Sequence, residues 1–337
     1  MIPITPAELK AEFPITDKAS ETVFESRRVI NRILTGEDKR ILAIVGPCSI
    51  HSTESALEYA GKLLRLKEAY SERIYIAMRV YFEKPRTTIG WRGLIIDPEL
   101  NGSYNINAGL REARKLLVRI TEAGLPTASE MLDPIIPQFI ADLISWASVG
   151  ARTTESQTHR NMASGLSMPV GFKNGTDGSI QTAIDALQSA IHPHSFMGID
   201  EDGRTCILHT SGNPSVHLIL RGGRGGPNYY EEYVEEAEEL MENTGLNPAL
   251  LIDCSHANSG KNPAKQMRVL RSLMDQKKRH ERIIRGFMLE SNLLPGNQAI
   301  PEMVADLKYG VSITDGCVGW EATEEMLEFV WEEMGKL

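Results

Sequence analysis

The sequence predicts a (β/α)8 TIM barrel with an N-terminal extension and one β-hairpin inserted after strand six. Three observations lead there. Eight short apolar runs of strand length recur along the chain. Amphipathic stretches of helical period lie between most of them. No Gly-x-Gly-x-x-Gly turn follows the first run, which removes the main reason to expect an open, doubly wound sheet. Strands alternating with helices over roughly 250 residues are what a closed barrel requires.

Residues 1–40 read as the extension. Thr5-Pro6-Ala7-Glu8 has the spacing of a capping box with proline at the first helical position, so a short helix begins there. A second helix is expected from about Ser20 to Leu34, stopping at Gly36. The barrel then occupies 41–337. Its strands are expected at Ile41 to Val45, Ile74 to Val80, Pro126 to Ser129, Ala147 to Ala151, Pro169 to Phe172, Ser195 to Ile199, Leu250 to Ile252 and Ile283 to Leu289. Ala56, Tyr59, Ala60, Leu63 and Leu66 mark one connecting helix; Val234, Ala237, Leu240 and Met241, backed by glutamates, mark another. Cys206 to His209, a Gly-Asn turn, and Val216 to Arg221 read as the inserted hairpin, about 200–222. The run Lys277-Lys278-Arg279-His280-Glu281-Arg282 precedes a strand and reads as a solvated face.

Composition narrows the function. At 337 residues, with 42% hydrophobic and 24% charged, the chain can bury a sizeable core. A net charge of −9 argues against a nucleic-acid partner, because phosphate backbones reward basic surfaces. The four cysteines, Cys48, Cys206, Cys254 and Cys317, form no Cys-x-x-Cys pair, so neither a disulfide framework nor a zinc finger is expected. No apolar run approaches the ~20 residues of a membrane span, and no signal-peptide order opens the chain. The expected setting is reducing and cytoplasmic.

In a barrel, site residues follow the strand C-termini. The positions just past the predicted strands hold Cys48, then Arg79 and Lys84 with Arg86 close behind, then Glu130, Arg152, Lys173, Arg221, His256 and Glu290, with Asp315 later in the last loop. Six of these, Arg79, Lys84, Arg86, Arg152, Lys173 and Arg221, are cations, which suits substrates carrying several negative charges. Pro85 stiffens the turn between Lys84 and Arg86. Cys48, His256, Glu290 and Asp315 are of metal-ligand type, and barrel closure makes their strands neighbours. Taken singly, a cysteine is often a small buried hydrophobe. Strand alternation also points Cys254 the same way as His256, so spacing alone leaves Cys254 open as a ligand.

Six ordered stretches carry a resemblance: Gly46-Pro47-Cys48-Ser49-Ile50, Arg79 to Gly90, Gly150-Ala151-Arg152 through Gln157, Gly171-Phe172-Lys173 through Gly178, Ile219-Leu220-Arg221-Gly222-Gly223 and Ser255-His256-Ala257-Asn258. Together they resemble the type I DAHP synthases, most closely the tyrosine-sensitive isoenzymes at Leu132-Asp133-Pro134 and Met168-Pro169-Val170-Gly171. The resemblance implies a transferase that condenses phosphoenolpyruvate with D-erythrose 4-phosphate to give 3-deoxy-D-arabino-heptulosonate 7-phosphate and phosphate, at the entry to the shikimate pathway. It implies one divalent metal ion (Mn, Fe, Co or Zn) on Cys48, His256, Glu290 and Asp315. It places phosphoenolpyruvate on Arg79, Lys84, Glu130, Ala151, Arg152, Lys173 and Arg221, and the sugar phosphate on Arg86 and Thr87.

Feedback by an aromatic amino acid, tyrosine foremost, is implied through Pro137, Gln138, Ser167 and Phe196, and assembly as a homodimer or homotetramer. Family members usually carry a longer N-terminal arm that contributes to the inhibitor pocket, and a loop one residue shorter at Arg224-Gly225-Gly226-Pro227. Three other readings compete: a 3-deoxy-manno-octulosonate 8-phosphate synthase, a Schiff-base aldolase using Lys173, and a catalytically inactive amino-acid-binding regulator. The run Lys84-Pro85-Arg86-Thr87 favours the four-carbon sugar over the first, and a sensor would need neither the ligand set nor the cations.

Overall fold

Two helices precede the barrel, each begun by a threonine. The structure is a computed structural model that describes residues 3–86, 88–280 and 282–337. Helix α1 (Pro6–Glu12) opens with the complete capping box: Thr5 accepts from Glu8 N–H, and Glu8 accepts from Thr5 N–H. Helix α2 (Asp17–Thr35) is capped by Thr16 and ends at Gly36, whose φ of 81° lies in the left-handed region a glycine enters without strain.

Ten strands follow: β1 (Ile41–Gly46), β2 (Ile74–Arg79), β3 (Thr127–Glu130), β4 (Trp146–Val149), β5 (Val170–Lys173), β6 (Ser195–Ile199), β7 (Thr205–His209), β8 (Val216–Leu220), β9 (Leu250–Asp253) and β10 (Ile284–Glu290). Among the described residues, eight of them close a parallel barrel in the order β1-β2-β3-β4-β5-β8-β9-β10, with β10 pairing back onto β1. The connecting helices are α3 (Thr53–Ala69), α4 (Ile106–Glu122), α5 (Pro137–Ile140), α6 (Gln157–Gly165), α7 (Gln181–Ala190), α8 (Glu231–Asn243), α9 (Gln266–Lys277) and the closing α10 (Trp320–Met334). In α3, Ala56, Tyr59, Ala60 and Leu63 are buried as the spacing predicts, while Leu66 packs at the edge of the same core.

The inserted hairpin exists, but one strand earlier than expected. Ser195–Ile199 pairs antiparallel with Thr205–His209 and stands outside the barrel, whereas Val216–Leu220 is the sixth barrel strand, pairing with β5 and β9. The two strands differ in what they bury. Val-His-Leu-Ile-Leu is buried at every position, as a strand covered on both faces must be; Ser-Phe-Met-Gly-Ile leaves Met197 67% exposed. His217 inside the barrel accepts from Trp146 Nε1 at 3.0 Å, and burial pushes its pKa down to about 4, so it stays neutral.

Helix α2 closes the N-terminal end of the barrel. Ile30, Ile33 and Leu34 share one apolar cluster with the inward-facing Leu42, Ile44, Ala77, Trp146, Leu251 and Met288. Polar contacts fix it there: Arg27 donates to the carbonyls of Ala141 and Ile144, and Asn247 to that of Leu34. No helix among the described residues is long and apolar enough to cross a membrane. The basic run is not uniformly solvated: Lys277 is buried, with its Nζ on the Ile284 carbonyl at 2.8 Å, while Lys278 and Arg279 pair with Glu333 and Glu231.

Candidate functional site

Inward-pointing positions at the C-terminal ends of β2, β3, β5, β9 and β10 are Arg79, Glu130, Lys173, Asp253 and Glu290, all buried. Each falls two residues after a smaller or apolar inward neighbour, so the period of two that fills the barrel below turns polar at its rim. Beyond them opens a cleft of about 310 Å³, lined by Lys84, Arg86, Glu130, Ala151, Arg152, Lys173, Arg221, His256 and Asp315 among others. One cleft thus brings most of the sequence-predicted residues together. Thr87 lies outside the described residues.

The loop after β1 is held against the floor. Arg79 Nε donates to the Pro47 carbonyl at 3.0 Å, and Nη2 donates to Glu290 Oε1 at 3.0 Å. Its guanidinium lies 3.5 Å from the Tyr81 ring centroid. Burial works against the Arg79 charge, but Tyr81 and Glu290 outweigh it and hold the group protonated. Gly46, at φ 156°, is required here because a Cβ would come 2.7 Å from the Arg79 carbonyl oxygen. Lys84 Nζ reaches both the Cys48 carbonyl and Cys48 Sγ at 3.2 Å. Burial and the neighbouring Glu290 push the Cys48 thiol up, with Lys84 opposing them.

Cys48, Glu290 and Asp315 form a set whose donor atoms all lie within 4.8 Å of one another. His256 joins at the side of Glu290, its Nε2 3.7 Å from Glu290 Oε1. Sulfur, imidazole and two carboxylates suit a first-row divalent ion. The backbone of Glu290 is clamped at both N–H and C=O by the Gln266 amide, at 2.9 Å each. Burial raises the Asp315 carboxyl, yet Lys84, His256 and Lys261 hold it below the usual range. Cys254 does not take part. It lies in the apolar layer between barrel and helices, because β9 ends at Asp253 and His256, at φ 52°, breaks the alternation that had aligned the two.

The cations on the other side are arranged around unfilled hydrogen-bonding capacity. Arg79 Nη1 and Glu130 Oε1 are buried with no protein partner. Lys173 Nζ pairs with Asp253 Oδ2 at 3.0 Å; burial disfavours its charge, but Asp253 outweighs that and holds it above the ordinary lysine range. A protonated, ion-paired lysine is a poor Schiff-base nucleophile. Arg221, whose pKa burial lowers, is aimed by its own N–H donating to Asn174 Oδ1 at 2.8 Å. Arg86 is exposed and anchored by Nε to the Trp91 carbonyl at 2.7 Å.

Pro137, Gln138, Ser167 and Phe196 stand apart from the residues lining this cleft. Pro137 begins α5, Ser167 accepts from Arg27 Nη1 at 2.8 Å, and Phe196 sits in the outer hairpin opposite Leu208. Sequence reasoning missed Asp253, Tyr81 and Lys261. Parity along β9 could have found Asp253, which is two positions after the inward-facing Leu251. Lys261 shows its place only in the fold, where its N–H bonds back to the His256 carbonyl at 2.7 Å.

The model of the DAHP synthetase I family matches residues 12–328. The chain is 51% identical over 331 residues to the Tyr-sensitive phospho-2-dehydro-3-deoxyheptonate aldolase of Escherichia coli (strain K12), covering 98% of this chain and 93% of that protein. It is 52% identical over 324 residues to the Phe-sensitive one of the same organism, covering 96% and 92%. Among solved structures, the phospho-2-dehydro-3-deoxyheptonate aldolase of Francisella tularensis SCHU S4 superimposes with a TM-score of 0.97 at 48% identity, over 99% of this chain and 97% of that one.

Proposed function

The chain belongs to the DAHP synthetase I family, and from that premise we propose that its cleft condenses phosphoenolpyruvate with D-erythrose 4-phosphate, releasing phosphate, in the first step of the shikimate pathway. The observation that carries this is the adjacency of the Cys48–Glu290–Asp315 set to a cleft walled by cations, with Asp315 common to both. Arg79, Lys84, Arg152, Lys173 and Arg221, with the backbone around Ala151, hold the phosphate and carboxylate of phosphoenolpyruvate, five positive groups facing up to three negative charges. Arg86 holds the sugar phosphate nearer the mouth, with Thr87 beside it in sequence. Cys48, His256, Glu290 and Asp315 would hold one divalent ion (Mn, Fe, Co or Zn), which when bound supplies Lewis-acid polarisation of the aldehyde oxygen.

The chain's own residues do the remaining work. Fixing both phosphates on walls of one cleft brings the methylene carbon and the aldehyde together before reaction. Arg79, Lys84 and Lys173, kept charged by their surroundings, neutralise the phosphate and carboxylate on the adjacent carbon of phosphoenolpyruvate and hold that carbon, electron-poor once its neighbour has attacked, in place for water. Glu130, with one oxygen buried and unpartnered, is positioned to orient the water that attacks that carbon. Feedback by an aromatic amino acid, tyrosine foremost, acts through Pro137, Gln138, Ser167 and Phe196, and residues 1–40 contribute oligomer and regulatory contacts in a homodimer or homotetramer.

The test is consumption of phosphoenolpyruvate with a panel of aldose phosphates, with and without chelator. Turnover with erythrose 4-phosphate that stops in chelator is expected. Preference for a five-carbon sugar phosphate would reinstate the octulosonate synthase, and full activity in chelator would remove the metal.

A further inference from the structure

We infer that Asp253 is a positioning residue that sets the tautomer of His256 and the charge of Lys173 at once, so that the metal-ligand side and the phosphoenolpyruvate side of the cleft share one carboxylate; this rests on the division of labour proposed above. Asp253 Oδ2 accepts from Lys173 Nζ at 3.0 Å and lies 2.9 Å from His256 Nδ1. Its Oδ1 accepts from Ser255 N–H at 3.0 Å and from Ser255 Oγ at 2.6 Å. The residue is fully buried. Three hydrogen bonds and the imidazole thus engage both oxygens of the carboxylate.

The orientation of Ser255 makes the tautomer specific. Its hydroxyl hydrogen is given to Asp253, so the oxygen that lies 2.7 Å from His256 Nδ1 can only accept. Nδ1 therefore faces two acceptors, Asp253 Oδ2 and Ser255 Oγ, and carries the ring proton. That leaves Nε2, the nitrogen facing Glu290, with the lone pair a metal ligand needs. On its other flank the same oxygen is the ion-pair partner of Lys173, a buried cation whose charge burial alone disfavours. An amide at position 253 cannot replace this. It has one acceptor atom and one donor group: with the oxygen toward Lys173 and His256, the NH2 faces Ser255, whose hydroxyl loses its acceptor and turns to donate to His256 Nδ1; reversed, the NH2 meets both Lys173 and His256.

The experiment compares the wild-type chain with Asp253→Asn and Ser255→Ala. The readouts are Mn²⁺ affinity by calorimetry, phosphoenolpyruvate affinity without metal, and the His256 tautomer by ¹⁵N NMR of histidine-labelled protein, assigned with His256→Gln. Asp253→Asn is expected to move the His256 proton to Nε2, to weaken Mn²⁺ about 10–100-fold, and to weaken phosphoenolpyruvate about 10-fold or more. Ser255→Ala, which keeps the carboxylate, is expected to weaken Mn²⁺ alone. An unchanged His256 tautomer in Asp253→Asn, or loss of only one of the two affinities there, would overturn the shared-carboxylate role while leaving the family reaction standing. A wild-type chain that binds neither Mn²⁺ nor phosphoenolpyruvate would take down both.

Discussion

Arg79 and Glu290 form an ion pair of 3.0 Å with both side chains buried, joining the start of the cation wall to the middle of the ligand set. Removing one member leaves the other charge stranded. Glu290→Ala should therefore cost about 3–5 kcal/mol of stability even in chelator, where no metal contributes. Urea denaturation in chelator checks this, and a cost below about 1 kcal/mol would mean that water or Cys48 compensates the arginine.

In the proposed ligand set Cys48 contributes sulfur rather than packing alone. Cys48→Ala should abolish metal binding and leave the barrel intact, with an unfolding midpoint in chelator close to that of the wild type. Metal analysis together with circular dichroism decides the matter; full occupancy in the variant would remove Cys48 from the ligand set.

Arg86 is assigned to the second substrate because it stands exposed at the mouth while Arg79 and Lys173 lie on the floor. Losing a charge-assisted hydrogen bond of about 1.5–3 kcal/mol should raise KM for erythrose 4-phosphate about 10–100-fold in Arg86→Ala. KM for phosphoenolpyruvate should change little. An equal rise in both would undo the division.

Gly150 leaves room for Glu130. A Cβ at this position would overlap Glu130 Oε1, the unpartnered oxygen. Gly150→Ala should lower kcat about 100-fold through displacement of that carboxylate while both KM values hold. Steady-state kinetics with kcat intact would show that Glu130 does not handle the water.

Glu83, buried beside Asp133 N–H and the Asp133 carboxylate, has its pKa pushed up to about 8, chiefly by burial. Unfolded, it titrates near 4.5. Between those values the folded state keeps a proton that the unfolded state releases, so this group lowers stability as pH rises from about 4.5 to about 8 and adds no further slope above. Glu83→Gln should flatten that slope and be the more stable protein at pH 8, by on the order of a few kcal/mol. Denaturation curves at pH 5, 6.5 and 8 that run parallel for both proteins would contradict it.

Much of the barrel was legible because its strands are buried on both faces and read as near-continuous apolar runs. The same rule separates Val216–Leu220, apolar at four of five positions, from Ser195–Ile199, a distinction that strand spacing does not carry. The rim residues were legible because barrel geometry places them without reference to their charge. Cys254 stayed ambiguous because alternation extends only while backbone is extended, and nothing local announces the left-handed turn at His256. Asp253 escaped notice because an aspartate at a strand end reads as a turn residue until its partners arrive from β5 and from its own loop. Tyr81 was hidden likewise: an aromatic past a strand looks like core until the Arg79 guanidinium is seen stacked on it.

Because α2 stoppers the far end of the barrel, the cleft among the described residues opens at the end where Arg86 stands. On the proposed assignment, a sugar phosphate already seated on the exposed Arg86 would lie above a molecule bound on the buried Arg79 and Lys173. That assignment predicts entry in order of depth, phosphoenolpyruvate first and the aldose second. The released phosphate leaves by the same opening, so at high concentration it should compete at the threshold with the next molecules coming in.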